Sequence, residues 1–120
     1  MDPLTAALAC TLTLTDLPVP AALPHWEERN LTVAERAHTD RPRDARALYD
    51  WRTETIISPP RDWPALVHEM VHHLEWSGHY WFSDRRADAA ERRANDCLND
   101  YWHMKIPASK ITVTANLKHN

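Results

Sequence analysis

The sequence predicts a small α+β domain, on three observations. The chain has 120 residues, enough for one domain with a single core of modest size. Eight of its nine prolines lie at or before Pro64, which predicts extended segments and turns first, then helix from Trp63 to Met104. The apolar period changes at the same place, from two before Ser58 to a helical repeat after it.

Each element follows from local chemistry. Leu4–Leu14 carries several threonines, has no basic residues before it and lacks a small-residue cleavage pattern, so it does not read as a secretory leader. Leu17–Pro24 reads as an irregular lead-in, and Asn30–Val33 opens a strand or caps a short helix through Glu35 to Ala37. His38–Arg46 is charged and loop-like. Tyr49, Trp51, Thr53, Thr55 and Ile57 alternate with Asp50, Arg52 and Glu54, which predicts one bent strand or a hairpin turning near Asp50–Arg52. Ser58-Pro59-Pro60 stops it. Asp62 is a good N-cap for a helix from Trp63 to about Trp76, with Gly78 placed as its C-cap. A second helix, capped by Ser83 or Asp84, runs through Arg85–Tyr101. Beyond Pro107, Ile111–Thr114 is a short strand or a loose tail. The expected domain is the whole chain, 1–120, with its core at about 17–104.

Composition narrows the function. The chain carries 14 basic and 17 acidic residues, a formal charge of −3, which argues against a nucleic-acid binder working by phosphate neutralisation. No apolar run approaches the ~18 residues of a membrane span. Cys10 and Cys97 are far apart and form no C-x-x-C pair, so neither a disulfide framework nor a cysteine-rich zinc site is expected. The expected location is the cytoplasm. Trp51, Trp63, Trp76, Trp81 and Trp102 read as core and rim filling.

Chemistry concentrates in His68-Glu69-Met70-Val71-His72. Two histidines at i and i+4 share one helix face and can bind one metal ion without bending the backbone. Glu69 projects about 100° round the helix, beside that ion and its water. Zinc lowers the pKa of such a water toward ~7, and a carboxylate within hydrogen-bond reach can take its proton. With this composition the pattern arises in roughly 0.03 of shuffled chains. Leu66, Val67, Met70, Val71 and Leu74 form the apolar arc, leaving both histidines off it.

A catalytic zinc site needs a third ligand. With Glu91 as origin on the second helix, Asp84, Asp88 and Asn95 lie at about 20°, 60° and 40°, so the wheel does not choose between Asp88 and Glu91. His79 is one position late for the third histidine of a metzincin, and is kept with Tyr80 as an oxyanion donor or substrate contact. His73 points away from His72 and is expected to hydrogen-bond locally or pack beside Leu66. Glu75 returns to the ligand face and can orient a histidine.

The run Leu66-Val-His-Glu-Met-Val-His-His-Leu74 resembles the active-site helix of zincin metallopeptidases, especially small bacterial and phage domains with an LVHE-x-x-HHL signature. Ala47-Leu-Tyr-Asp50 and Thr55-Ile56 resemble the strand that precedes it in that group, and Glu91–Trp102 the helix that follows. The resemblance spans roughly Leu17–Trp102. It implies a minimal zincin-like domain of gluzincin type, zinc at His68, His72 and Glu91, and Glu69 as general base. Asn95 stands where the group has tyrosine, Leu98 where it has glutamine, and Glu75 where glutamine is usual. The expectation is a zinc-dependent hydrolase acting on a peptide or protein. The alternative is a non-catalytic, metal-stabilised binding or regulatory module.

Overall fold

A computed structural model describes residues 2–103, and within them five helices and a three-stranded mixed sheet form one α+β unit. The elements are α1 (Pro3–Leu14), β1 (His25–Glu28), α2 (Val33–Ala37), β2 (Leu48–Asp50), β3 (Thr55–Ser58), α3 (Trp63–Ser77), α4 (Asp84–Arg92) and α5 (Ala94–His103). The strand or tail expected after Pro107 lies outside the described residues. No helix among them is long and apolar enough to cross a membrane.

Helix α3 is the hub, touching β2, β3, α1, α4 and α5. Asp62 caps it by accepting the Ala65 N–H at 3.1 Å, and Leu66, Val67, Met70, Val71 and Leu74 are fully buried on the predicted arc. Its end departs from expectation in one detail. Gly78 is the C-cap but has φ −90°, while His79 takes the left-handed conformation at φ 61°. The His79 N–H bonds the Trp76 carbonyl at 3.2 Å and the Tyr80 N–H bonds that of Glu75 at 2.8 Å, which is a Schellman ending. Glycine is needed at 78 for room: a Cβ there would meet Pro18 Cγ at 2.9 Å.

The core begins upstream of the expected boundary at 17. Asp2 caps α1, accepting from the Thr5 N–H and hydroxyl at 2.9 Å each, and Ala6, Ala7, Leu8, Ala9 and Cys10 are buried. Threonines survive here because their hydroxyls bond back to the preceding turn: Thr11 to Ala7 at 2.7 Å and Thr13 to Ala9 at 3.0 Å. The reading of the cysteines is corrected. Cys10 and Cys97 form a disulfide joining α1 to α5 across 87 positions, with Cα atoms 5.9 Å apart; such a pairing follows from tertiary packing, which spacing alone does not encode.

Strands β2 and β3 form the hairpin, with Leu48 opposite Ile57 and Asp50 opposite Thr55. The turn occupies residues 51–54, where Asp50 accepts the Arg52 N–H at 3.0 Å. β1 was not foreseen. It pairs parallel to β3, from His25 opposite Thr55 to Glu28 opposite Ser58. His-Trp-Glu-Glu is mostly exposed and has little strand character, but the Trp26 indole donates to buried Ser58 at 2.9 Å and anchors it. The strand order is β1-β3-β2. The tryptophan reading holds for Trp63, half-buried against the core, and is corrected for Trp81, which is 93% exposed; Trp51 and Trp76 meet with tilted rings at 4.8 Å on the surface.

The predicted second helix is two. It breaks at Arg93, so that Ala87 and Ala90 of α4 and Ala94, Leu98 and Tyr101 of α5 can each be buried while α4 packs on α3 and α5 on α1. The break carries Asn95 to an exposed position on α5.

Two expected outcomes follow from these contacts. Replacing Cys10 and Cys97 by Ser should cost about 2–5 kcal/mol of unfolding free energy; a wild-type urea midpoint insensitive to reductant would count against the pairing. Thr32 and Glu35 form a capping box on α2, and Arg29 makes two 2.7 Å bonds to Glu35. The hydrogen bond from Arg29, aided by the Thr32 N–H, holds the Glu35 carboxyl at about 2 against an ordinary 4.5. Its contribution to stability is complete above pH 4.5 and lost as pH falls toward 2. Acid titration of unfolding should therefore be flatter in Glu35→Gln across that window; an unchanged slope would show the pair to be solvated and inert.

Candidate metal centre

The helical spacing of α3 sets His68 and His72 with ring centroids 5.1 Å apart, both mostly buried at the floor of a cavity of about 430 Å³. One wall is the loop from Thr39 to Arg46 with Leu48 and Tyr49 of β2. The other is Phe82 with Asp84, Asp88 and Glu91 of α4. Phe82 packs edge-on against His72 at 5.3 Å.

His72 is held by Glu75. The Glu75 carboxylate is completely buried and accepts from three donors: His72 Nδ1–H at 2.7 Å, the Ser83 N–H at 3.0 Å, and the Arg86 guanidinium. A buried ionised carboxylate requires such donors, so the proton of neutral His72 sits on Nδ1 and Nε2 presents its lone pair, 3.8 Å from Asp84. Burial pulls the His72 pKa down. The hydrogen bond to Glu75 and the charges of Glu69, Glu75 and Asp84 together outweigh it and leave the pKa above the usual value.

His68 is oriented from the opposite wall. Its Nδ1 lies 2.8 Å from Glu91 and 3.4 Å from Asp88. A neutral imidazole has one lone pair; with Nδ1–H donating to Glu91, that lone pair is on Nε2, 4.0 Å from Glu69. Glu69 is 8% exposed, and its carboxylate has no hydrogen bond among the described residues. Burial pushes its pKa up, and the neighbouring His68 and His72 offset this only in part.

Two groups offer donor atoms within 4.8 Å of one another: His68, His72 and Asp84; and His68, Asp88 and Glu91. They share His68, whose single lone pair makes them alternatives for one ion. In the first group two imidazoles with a carboxylate are a donor set that suits zinc; in the second, an ion at His68 Nδ1 would take the place of the proton shared with Glu91 and Asp88. The structure brings Glu91 to His68, 2.8 Å from Nδ1, and places it in the second of the two groups beside Asp88. Asp84 was visible in sequence as a member of the Glu91 face, but was not advanced as a ligand.

The remaining predicted residues sit apart from the cavity. His73 is buried, with Nε2 2.9 Å from the Ala22 carbonyl and Nδ1 2.9 Å from the Tyr49 hydroxyl. A carbonyl only accepts, so Nε2 carries the proton and Nδ1 accepts from Tyr49. Burial lowers the His73 pKa, with the Ala22 bond opposing, and the ring ties α3 to β2 and the lead-in. His79 and Tyr80 are exposed outside the cavity lining; Arg86 stands over the Tyr80 ring at 5.7 Å. Asn95 is also outside it. No family model, curated protein or solved structure matches the chain.

Glu75→Gln would leave the Arg86 guanidinium without its anion and bring an amide N–H₂ against a donor. The expected cost is about 3 kcal/mol, measured from denaturant unfolding, and smaller in an Arg86→Met background. A single variant as stable as wild type would show that this clamp does not hold α4.

Proposed function

We propose that the protein is a zinc-dependent hydrolase of peptide bonds built on a minimal zincin-like site. The observation that carries this reading is the convergence of His68, His72 and Asp84 donor atoms within 4.8 Å, beside a buried carboxylate at the floor of an open cavity. Zinc bound there would supply Lewis acidity and bring the pKa of water toward ~7. The chain's own part is to hold and move protons. Glu69 takes the proton of the attacking water and returns it to the leaving amine. Glu75 and Glu91 accept the Nδ1–H of His72 and His68, and Nε2 of each imidazole would then be free to hold zinc. β2 is an edge strand and lines the cavity, so an extended substrate can add to it by backbone pairing.

Asp84 is the third ligand favoured by this convergence, in place of the Glu91 favoured by resemblance. The open cavity speaks for turnover over a closed structural site. The Cys10–Cys97 disulfide supports an oxidising compartment over the cytoplasm.

One experiment addresses these assignments together. Purified wild type should bind one equivalent of zinc and cleave a quenched-fluorescent peptide mixture. Glu69→Gln should keep the zinc and lose roughly 10²–10⁴-fold in rate. Asp84→Ala should weaken zinc more than Glu91→Ala, whose orienting role is worth about 10–100-fold. The reverse order would make Glu91 the ligand, and full cleavage by Glu69→Gln would remove the mechanism.

A further inference from the structure

Among the described residues, aromatic surface is left uncovered toward the C-terminal end of α3. Trp51 and Trp76 meet at 4.8 Å between ring centroids and 40° between planes, with the Arg52 guanidinium 5.2 Å from the Trp51 ring. The two rings stay 42% and 40% exposed. Trp76 follows His72 by one turn on the same face of α3, and Phe82, which lines the cavity, packs on His72 from the other side of the sequence. The aromatic surface therefore starts beside the cavity and continues to Trp51. Contiguous apolar surface of this kind marks a place where something docks.

The neighbouring strand indicates what docks. β2 is an edge strand among the described residues, so its outer backbone groups are open to pairing with another chain. It also runs alongside α3 in the same direction. Leu48 and Tyr49 line the cavity, the Tyr49 hydroxyl meets His73 at 2.9 Å, and Trp51, directly after the strand, meets Trp76. The open edge thus leads from the cavity to the tryptophan pair.

Resting on the reading of the cavity as a peptide-cleaving site, we propose that Trp51 and Trp76 form an apolar subsite that takes one bulky aliphatic or aromatic side chain of an extended peptide, about three residues from the scissile bond. The spacing follows from the geometry. One helical turn beyond His72 plus the separation of the rings is roughly 10 Å, the reach of about three extended residues. Pairing with β2 supplies attachment without regard to sequence, and the ring pair supplies the selection. Trp51 and Trp76 stand apart from the candidate ligands and from Glu69, so they can be changed while the metal centre is kept.

The test measures binding apart from turnover. Fluorescein-labelled, end-blocked nonapeptides of alternating Ala and Thr, with Phe, Ala or Asp at the central position, are titrated by anisotropy against zinc-loaded Glu69→Gln protein. The Phe peptide should bind about tenfold tighter than the Ala peptide, and the Asp peptide no tighter than Ala. In the added Trp51→Ser/Trp76→Ser background that advantage should fall to about twofold or less, with zinc stoichiometry and affinity for the Ala peptide unchanged. Trp76→Phe alone should keep most of it. Trp51→Ser alone, in the surface turn, should lose part of it and serves where the double variant does not fold. Equal affinity for the Phe and Ala peptides, or a Phe preference that survives loss of both rings, would overturn the proposal. So would dimerisation in sedimentation equilibrium, or cosedimentation with phosphatidylcholine vesicles, that the double substitution abolishes while peptide affinities stay the same. The same peptides given to wild type separate the subsite from the hydrolase reading. Phe-selective binding without cleavage sinks hydrolysis and leaves the subsite standing, whereas cleavage indifferent to Phe does the opposite.

Discussion

The carboxylate of Glu75 has no contact with water, and much of the site follows from how that buried charge is satisfied. Ionised carboxylates are tolerated inside a protein only when every oxygen meets a donor. Here the donors come from three places: one helical turn back on α3, the backbone that opens α4, and the guanidinium of Arg86. Meeting one electrostatic demand therefore fixes the His72 tautomer and docks the start of α4 against the end of α3. Asp84, Asp88 and Glu91 then lie where an amphipathic helix must present them, across from the two histidines.

A second buried histidine fastens the other side of α3. His73 donates to the Ala22 carbonyl and accepts from Tyr49, so the lead-in segment and the edge of β2 are tied to the hub. Consecutive histidines on one helix thus do different work. His72 faces the cavity and keeps a free ring nitrogen, whereas both nitrogens of His73 are consumed by the fold. The cavity between the clamps opens between charged, solvent-facing walls, and among the described residues its large apolar contributions are Leu48, Tyr49 and Phe82.

What was legible in the sequence was local. Asp62 and Gly78 bounded α3 correctly because a cap is a contact within one turn, although Gly78 proved necessary for the approach of Pro18 while His79 made the turn. Strand character was legible from the alternation, which left one bent strand or a hairpin open; the pairing of β2 with β3 decides for the hairpin. β1 was not, because four mostly polar residues carry no strand pattern and are held by a neighbour far along the chain. The break at Arg93 was equally silent: no proline or glycine marks it, and it serves two faces that must pack on different helices. The threonines of α1 disguised a core helix, since nothing local shows that their hydroxyls bond back to the preceding turn.

The sequence by itself determined the spacing of His68, Glu69 and His72 and the face they share, because helical periodicity is set by the backbone alone. It also determined that acidic residues on a following helix would offer a carboxylate. Only the tertiary structure decided which acid meets which imidazole, that His73 turns Nε2 to the Ala22 carbonyl, and that Cys10 reaches Cys97. Those outcomes depend on how helices dock and how buried charges find donors. They are properties of pairs of residues brought together by packing, and no single stretch of chain encodes them.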